Sequence, residues 1–517
     1  MNKFLQKAED VVSSRGFSSG VVTAAVIALV IVANVIIYTL TSLFGLYLYS
    51  PTRHDYGITG VTDELFSEAE EKGDKLTITF LMAEDDLKDH VTGMYVLETA
   101  KAYAERYSFI DLKFVNLLTK MDEDNRIVDL TKYQTDLRGN ETPLRTHSVI
   151  FSYGKGNEEN YRVITDTYST AGFADFYSLD SAGTAYAYSG EEVIAAMMAW
   201  VLNEEHKVVY FTENHGETID VAFSNLLSSA GYYVDVINLR KQDVPEDAAF
   251  VAISNPISDF ESAADGFDYY GEIQRLEKYL KEGNGGRGGS LYVAIDPYSD
   301  KLDNLEDLIG EYGITIAGSG ESEFGYSREL VLDPSEAIAL DSMSFIASYA
   351  GSDMAKSISD NVVEYKNGRV LLSEVARLVL DGDKGAESLL VSSSTSRVLW
   401  EGNTVDSDGG YDVCAYSSRT EGEGAESKIM VVPSVLLTNG DLMVADGYSN
   451  KEFMYSALSE IFGSSTAIYG TKSVQYDSGI VENLTQSTAA VFTVLLLAIP
   501  VALTAVGVIV VVRRKRR

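Results

Sequence analysis

The sequence predicts a multidomain α/β protein whose folded block lies between an N-terminal and a C-terminal transmembrane helix. Two apolar runs without charged residues, one near each end of the 517-residue chain, predict the two helices. Between them, strand-like and helix-like patterns alternate, and the strands are continuous apolar runs, which is typical of a parallel sheet covered by helices. A content of 45% hydrophobic and 10% aromatic residues argues against disorder.

The first apolar run, residues 21–44, lies within a stretch (16–52) that contains no Asp, Glu, Lys, Arg or His. The second, residues 489–512, contains Pro500 and also lacks charge. Because about 20 residues at a rise of about 1.5 Å each cross the bilayer core, either run is long enough to span a membrane. The first run exceeds a typical signal-peptide core and lacks a clear small-x-small cleavage site, so we expect an uncleaved anchor.

Basic residues beside the two runs predict the orientation of the chain. The tail after the second run, residues 513–517, consists of Arg513, Arg514, Lys515, Arg516 and Arg517. Since cytoplasmic flanks carry the excess of Lys and Arg, this tail is expected in the cytoplasm. Lys3, Lys7 and Arg15 point the same way for residues 1–20, more weakly. We therefore expect a two-pass protein of the cytoplasmic (inner) membrane, with both termini inside and residues 45–488 outside.

The external block is strongly acidic, with 33 Lys and Arg against 75 Asp and Glu, a formal charge of −42. This charge disfavours nucleic acid and anionic lipid as partners. The single cysteine, Cys414, excludes an internal disulfide and a multi-cysteine zinc site. No Walker motif is present, so any ATP hydrolysis is expected in a separate chain.

The first predicted domain, residues 76–203, follows a polar stalk (45–75) whose part 53–75 reads as irregular. Its pattern is β-α-β, then a hairpin, then a helix near Glu191. The predicted strands are 76–81, 109–117, 148–153 and 161–164, and the helices are 89–107 and 190–203.

The second predicted domain, residues 204–330, has the most regular pattern and predicts the parallel sheet. Its strands are expected at 207–211, 233–239, 249–253 and 290–295, and its helices at 219–230, 271–281 and 305–312. The glycine-rich run 283–289 is expected to be a connecting loop rather than a phosphate loop, because no GKS or GKT follows it.

Signals weaken in the third segment, an α/β extension over residues 331–462. Strands are expected at 369–372, 388–392 and 428–432, and a helix at 451–462. Residues 401–427 are rich in Gly, Ser, Glu and Asp, so we expect a surface loop there, with Cys414 inside it and outside the parallel sheet. A second stalk, 463–488, leads to the membrane.

The only concentrated site candidate is His215, Gly216 and Glu217, directly after the first strand of the second domain. Asp296 ends another strand of that domain, and ligands of open α/β sheets bind beyond the carboxyl ends of the strands. These four residues are therefore a candidate ligand-binding rim, open to a metal or general-base role. The alternative is structural: Gly216 permits a tight turn, while His215 and Glu217 bond the loop and cap the helix. We expect no catalytic residue, no metal and no cofactor.

Other chemistry finds little support in the sequence. No G-x-S-x-G elbow is present, and Cys414 is predicted to lie outside the sheet that a nucleophile would need. The segment 406–412 resembles a calcium loop, but Ser417 stands where such loops have Glu. The remaining histidines lack metal-ligand spacing; they are His54, His90, His147 and His206.

The order of elements resembles the GldG-like (gliding-motility-type) auxiliary components of ABC transport systems. The matching segments are Gly190-Glu191 with the helix after it, 208–217 with its family-like T-G-H-G-E turn, 243–256, 291–297, 387–394 and 430–439. Asn214 departs from the glycine common in that turn, and the stretches 154–188 and 401–427 are individual.

This resemblance, over about residues 55–460 plus the two anchors, implies a thioredoxin-like first domain and a flavodoxin-like second one. It also implies association with an ABC permease and its cytoplasmic ATPase. The expected function is a non-catalytic accessory subunit that docks permease, substrate or envelope components. Two alternatives stay open: an extracytoplasmic hydrolase or metal-binding enzyme that uses the His215, Glu217 and Asp296 rim, and a free-standing adhesion or sensor protein.

Overall fold

The structure, a computed structural model, covers the part of the chain between the two apolar runs. It describes residues 58–475 with gaps at 73–74, 155–158, 166–171, 180–184, 204–205, 264–269, 319–327, 339–341, 366, 406–408, 422–423, 445–446, 465–469 and 472–473. Both predicted spans and the basic tail 513–517 lie outside the described residues. Within the described part, no helix combines the length and the apolar character needed to cross a bilayer.

The first part of the block is a mixed sheet with helices on one face. Its strands are β1 (Leu76–Phe80), β2 (Ile110–Asn116), β3 (Met121–Asp122), β4 (Val149–Tyr153) and β5 (Asn160–Ile164), and its helices are α1 (Asp63–Lys72), α2 (Glu84–Lys88), α3 (Gly93–Arg106) and α4 (Gly190–Leu202). The sheet order is β3-β2-β1-β4-β5, with β1 and β2 parallel and β4 and β5 antiparallel to their neighbours. The predicted β-α-β start and hairpin are confirmed.

Alternate residues of this sheet serve two cores, as the two-residue period of a strand requires. Ile78 and Phe151 pack on one face with α3 and α4, whereas Ile150 and Val115 form a smaller cluster on the other. A small sheet at its side consists of β6 (Tyr177–Leu179), β7 (Ala185–Tyr188) and one strand from the end of the described chain. Short 3-10 turns occupy Thr131–Gln134 and Ala174–Phe176.

The second sheet begins with four strands that alternate with helices. These elements are β8 (Val208–Thr212), α5 (Val221–Ser229), β9 (Tyr233–Ile237), β10 (Ala248–Ser254), α6 (Glu272–Gly286), β11 (Ser290–Ala294) and α7 (Asp303–Glu311). Every residue of β8, β10 and β11 is buried, which explains why these strands are continuous apolar runs in the sequence.

Residues beyond 311 extend the same sheet. They form β12 (Ile314–Ile316), β13 (Leu330–Leu332), β14 (Ser344–Tyr349), α8 (Asp353–Tyr365), β15 (Val370–Ser373), β16 (Leu378–Leu380), a 3-10 turn (Gly382–Lys384), β17 (Ala386–Val391), β18 (Arg397–Trp400), β19 (Asn403–Val405), β20 (Asp412–Glu421), β21 (Ala425–Val432), α9 (Gly440–Val444), α10 (Asn450–Glu460) and β22 (Val474–Gln475). β13, β18 and β19 make a separate small sheet, and β22 joins β7.

Five parallel strands form one half of the large sheet, in the order β9-β8-β10-β11-β21. Numbered along the chain, that order is 2-1-3-4-5. The sheet continues through antiparallel strands β20, β17, β14 and β15. Its two faces are separate cores: Phe211 and Tyr292 lie with α5, α8 and α10, whereas Tyr210 and Val293 lie with α6 and α7. The block is thus mixed α/β, and its large sheet has helices on both faces.

Two sequence expectations about residues 401–427 need correction. Residues 401–427 are not a surface loop, because they contain β19 and the ten-residue β20. Cys414 lies inside the large sheet rather than outside it, and it is fully buried. The apolar run 413–416 is short and has polar residues on both sides, so the sequence pattern did not indicate a strand there.

The stretch 53–75 is not irregular throughout, since α1 occupies Asp63–Lys72 and Phe66 packs in the first core. Within the second predicted stalk, Val474–Gln475 pairs with β7. Both segments therefore contribute secondary structure next to the first sheet. The 406–412 stretch lies partly outside the described residues.

Candidate functional site

Three of the four predicted rim residues, His215, Gly216 and Glu217, lie beyond the carboxyl end of β8, and the fourth, Asp296, follows β11. The strands β8 and β10 are neighbours at the centre of the parallel sheet. The connection after β8 runs through α5 on one face, and the connection after β10 runs through α6 on the other face. Crossovers that diverge in this way open a crevice between two strands, where ligands of α/β sheets usually bind. The loops after β8 and β10 occupy this crevice.

His215 is the centre of the site, and it is enclosed. Its Nδ1 lies 3.0 Å from Glu217 Oε1, and its Nε2 lies 3.0 Å from Glu272 Oε2. The imidazole side chain is 0% exposed, and Phe260 stacks on it with ring centroids 3.9 Å apart. Neither ring nitrogen is presented to solvent. We call Glu217, His215 and Glu272 the buried triad.

The triad favours a charged imidazole. Burial opposes protonation of His215, but the hydrogen bonds to Glu217 and Glu272 outweigh it and raise the pKa of His215 above its ordinary value. Burial alone would raise the pKa of Glu217, but the hydrogen bonds from His215 lower it. With both nitrogens protonated, the ring donates to both carboxylates. The arrangement is an ion pair shared by three groups.

The backbone ties the two loops together around the triad. The His215 carbonyl accepts hydrogen bonds from the Ile257 and Ser258 N–H groups at 2.8 and 3.0 Å, and the Thr218 N–H donates to Ser254 O at 3.1 Å. Glu272 belongs to the first turn of α6, and its Oε2 also accepts from the Glu261 N–H. The triad therefore links the β8 loop, the β10 loop and the start of α6.

Gly216 allows the tight turn that the sequence predicts at this position. Its φ of +81° is in the left-handed region, and a Cβ there would lie 3.0 Å from the Ile257 side chain. Both the backbone conformation and the close approach of the β10 loop favour glycine. The neighbouring Asn214 also has a positive φ, of 84°, which asparagine tolerates better than most residues.

Asp296 follows β11 but does not join the triad. Its Oδ1 accepts from the Tyr298 N–H at 2.9 Å, and its carbonyl accepts from Ser299. These bonds close its own turn. The structure thus brings together His215, Gly216 and Glu217, and gives Asp296 a separate local role on the same edge.

Glu272, Phe260 and Arg240 complete the site, and sequence reasoning missed all three. Arg240 Nε lies 3.6 Å from Glu272 Oε1. Glu272 is 57 residues from His215, and at the start of a helix an acidic residue is unremarkable, since it complements the helix dipole. Only the tertiary fold reveals the contact.

Apolar side chains are exposed on the loops around the triad. Val221, at the start of α5, is 72% exposed, and Ile257 is 67% exposed. Ile219, in the loop just before α5, is 37% exposed. We call Ile219, Val221 and Ile257 the apolar edge. Exposed apolar side chains that lie together are a feature of contact surfaces.

The other sequence candidates are Cys414 and the remaining histidines. Burial raises the pKa of the Cys414 thiol well above its ordinary value, so the thiol is unreactive in the folded protein. His206 stacks on Trp200, with ring centroids 3.6 Å apart, and His90 lies beside His147. Within the described residues, no group of three or more His, Cys, Asp or Glu is arranged to hold a metal ion.

Comparisons with known proteins give little information. No protein-family model matches the chain, and no curated protein matches it. A solved structure described as the mmIFT52 N-terminal domain is similar at 15% identity, over 48% of this chain and 96% of that one, with a TM-score of 0.35. A likeness at this level carries no argument about function.

Proposed function

We propose that the protein is a non-catalytic, membrane-anchored accessory subunit of an ABC transporter. Its external block docks permease, substrate or envelope components, and ATP hydrolysis takes place in a partner chain. The proposal begins from the sequence, in which two charge-free apolar runs flank one acidic block and five cations end the chain. The family resemblance, which implies a permease and an ATPase as partners, points in the same direction.

The strand orders support the domain types that the resemblance implies. The parallel order 2-1-3-4-5 is the flavodoxin-like order. In the first sheet, the parallel β1 and β2 lie beside the antiparallel β4 and β5, and a helix follows. This arrangement is compatible with a thioredoxin-like domain.

The observation that carries the docking role is the closed edge of the large sheet. The buried triad lies in the crevice where a ligand of such a sheet would bind, and its hydrogen bonds join the loops after β8 and β10. Val221 at the start of α5 and Ile257 in the loop after β10 are 72% and 67% exposed beside the triad. A preorganised apolar surface costs less conformational entropy on binding than a mobile one. The geometry therefore favours docking over catalysis.

Affinity purification of the tagged chain from native membranes in mild detergent, with mass spectrometry, tests the proposal. Stoichiometric recovery of a polytopic permease and a Walker-motif ATPase would support it. Recovery of the chain alone, in several detergents, would contradict it.

A photocrosslinking residue at Ile257 then tests the docking edge in the same membranes. The matched control is Leu118, which is 85% exposed and follows β2 in the first sheet. We expect a crosslink to the permease from position 257 and a much weaker one from position 118. Equal crosslinking from both positions would show that the apolar edge is not the docking surface. The assignment as a transporter subunit would not be affected by that result.

A further inference from the structure

A second histidine site lies at the start of helix α3 in the first domain, away from the buried triad. His90 Nδ1 accepts a hydrogen bond from the Gly93 N–H at 3.0 Å. Gly93 is the first residue of α3, and the N-cap residue Thr92 makes no side-chain capping bond. The His90 ring therefore does the work of a helix cap, a role that requires an unprotonated nitrogen.

His147 lies beside His90, from the segment that precedes β4. The two ring centroids are 5.1 Å apart. Phe173 packs against both rings, with its centroid 5.4 Å from each. Its backbone is left-handed, with a φ of 58°, a conformation that a bulky residue adopts only when its surroundings impose it.

The residues around the two histidines are closely packed. A Cβ on Gly93 would lie 2.8 Å from the Phe173 ring, and a Cβ on Gly172 would lie 2.7 Å from the His147 ring. The Thr92 hydroxyl donates to Gly172 O at 3.0 Å. The start of α3, the 172–173 segment and the His147 segment are thus fastened to one another through the two imidazoles.

Of the charged groups on the surrounding elements, His147 is the one that shifts the pKa of His90, and it lowers it. The others are Lys88 and Asp89 at the end of α2, Asp175 after Phe173, and Arg145 two residues before His147. The first turn of α3 contains no acidic residue. A cation on His90 would therefore face the positive end of the helix dipole.

We propose that His90 and His147 form an acid-sensitive clasp, which caps α3 at neutral pH and releases the start of that helix on acidification. Protonation of His90 Nδ1 removes the acceptor for the Gly93 N–H and places a cation between the helix terminus and His147. The first turn of α3 and the Phe173 turn then lose their common fastening. This device is independent of the docking role proposed above.

The direction of the pH effect follows from linkage. Burial, and then the nearby His147, lower the pKa of His90 below its ordinary value. The unfolded or opened state therefore binds the proton more readily than the closed state. The clasp's contribution is fully present above the ordinary imidazole pKa, about 6.5, and is lost as the pH falls through the lowered value.

Hydrogen exchange on the full chain in detergent tests the proposal. Protection factors, which divide out the direct effect of pH on exchange chemistry, are measured for the first turn of α3 at pH 7.5, 6.5 and 5.5. We expect protection to fall on acidification, by at most about tenfold for each pH unit. Helix α5 is the internal reference, because a carboxyl group rather than an imidazole caps it: the Asp220 side chain accepts from the Ala222 N–H.

Two variants separate the clasp from general acid sensitivity. His90→Asn keeps an acceptor for the Gly93 N–H but does not titrate, so protection should become independent of pH. His147→Gln removes the repelling charge, so the pH at which protection falls should rise. A wild-type protein without pH dependence, or His90→Asn with the wild-type profile, would overturn the proposal. If His90→Asn fails to fold, an unshifted midpoint in His147→Gln overturns it instead.

Discussion

His215 is held between two carboxylates without contact with water, and this environment determines the cost of replacing it. Removing both charges of a buried pair and filling the space is often tolerated, whereas removing one partner leaves a charge buried and uncompensated. Glu217 and Glu272 are 4% and 1% exposed at their side chains. Loss of the imidazolium would therefore leave two carboxylates close together inside the protein.

We predict that His215→Gln lowers the free energy of unfolding by about 3 kcal/mol or more, as expected for a broken buried ion pair. Arg240→Gln is the matched control, since Arg240 faces Glu272 from a side chain that is 43% exposed. That substitution should cost less than about 1 kcal/mol. Urea unfolding of both variants, followed by tryptophan fluorescence, measures the difference. Equal costs would mean that the triad contributes little.

The triad also predicts a dependence of stability on alkaline pH. The pKa of His215 is raised in the folded protein, so its contribution is fully present below the ordinary imidazole value near 6.5 and is lost as the pH rises through the raised value. The stability difference between wild type and His215→Gln should shrink from pH 6.5 to pH 9. Measurements are made only above pH 6, because the lowered pKa of Glu217 has the opposite effect on stability, and that effect occurs at acidic pH. A constant difference would show that His215 is uncharged in the fold.

Half of this site could be predicted from the sequence. His215 and Glu217 are two residues apart in a turn with Gly216, so a local bond between them was foreseeable. Glu272 and Phe260 meet His215 only because α6 returns to the carboxyl edge after β10. No periodicity or spacing encodes such a contact, and the nature of the site, enclosed rather than open, depends on it.

At the scale of elements, prediction succeeded where burial was continuous. β8, β10 and β11 have every residue buried, and their uninterrupted apolar runs identified them. The sequence did not predict β20, because only Val413 to Tyr416 are apolar and buried, while polar residues form the rest of the strand. Helix α8 was not predicted either, because Ser, Asp and Asn interrupt its apolar residues, of which Ala355, Ile358 and Val362 are buried in the core.

The position of β20 predicts the reactivity of Cys414. The strand lies between β21 and β17, and burial raises the pKa of the thiol, so less thiolate is present at neutral pH than in a free cysteine. We expect the native wild-type chain to resist maleimide and the urea-unfolded chain to react fully. Leu118→Cys, on an 85% exposed position, supplies a fast-reacting reference. Rapid native labelling of Cys414 would place it back in an exposed loop.

At the scale of the whole molecule, the described residues belong to one unit, Tyr56–Tyr476, in which contacts join the two large sheets. Trp200 of α4 packs on Tyr233 of β9, Arg138 pairs with Asp235 at 3.1 Å, and the Arg162 guanidinium donates to Ser228 O. Because aromatic, ionic and backbone contacts all cross this junction, we expect a movement of the second domain to be transmitted to the first. Sequence reasoning had no signal for these contacts between the two sheets.

Sidedness is the property of the whole chain on which the proposed function depends. The basic residues beside the two apolar runs predict that the block lies outside and the tail inside. Leu118→Cys should therefore react with a membrane-impermeant maleimide on intact cells stripped of any outer layer. A cysteine added after Arg517 should react only after permeabilisation. The buried Cys414 keeps the background low, so the wild-type chain serves as the blank. Labelling of the added tail cysteine on intact cells would reverse the predicted orientation, and a block facing the cytoplasm could not dock at the outer face of a permease.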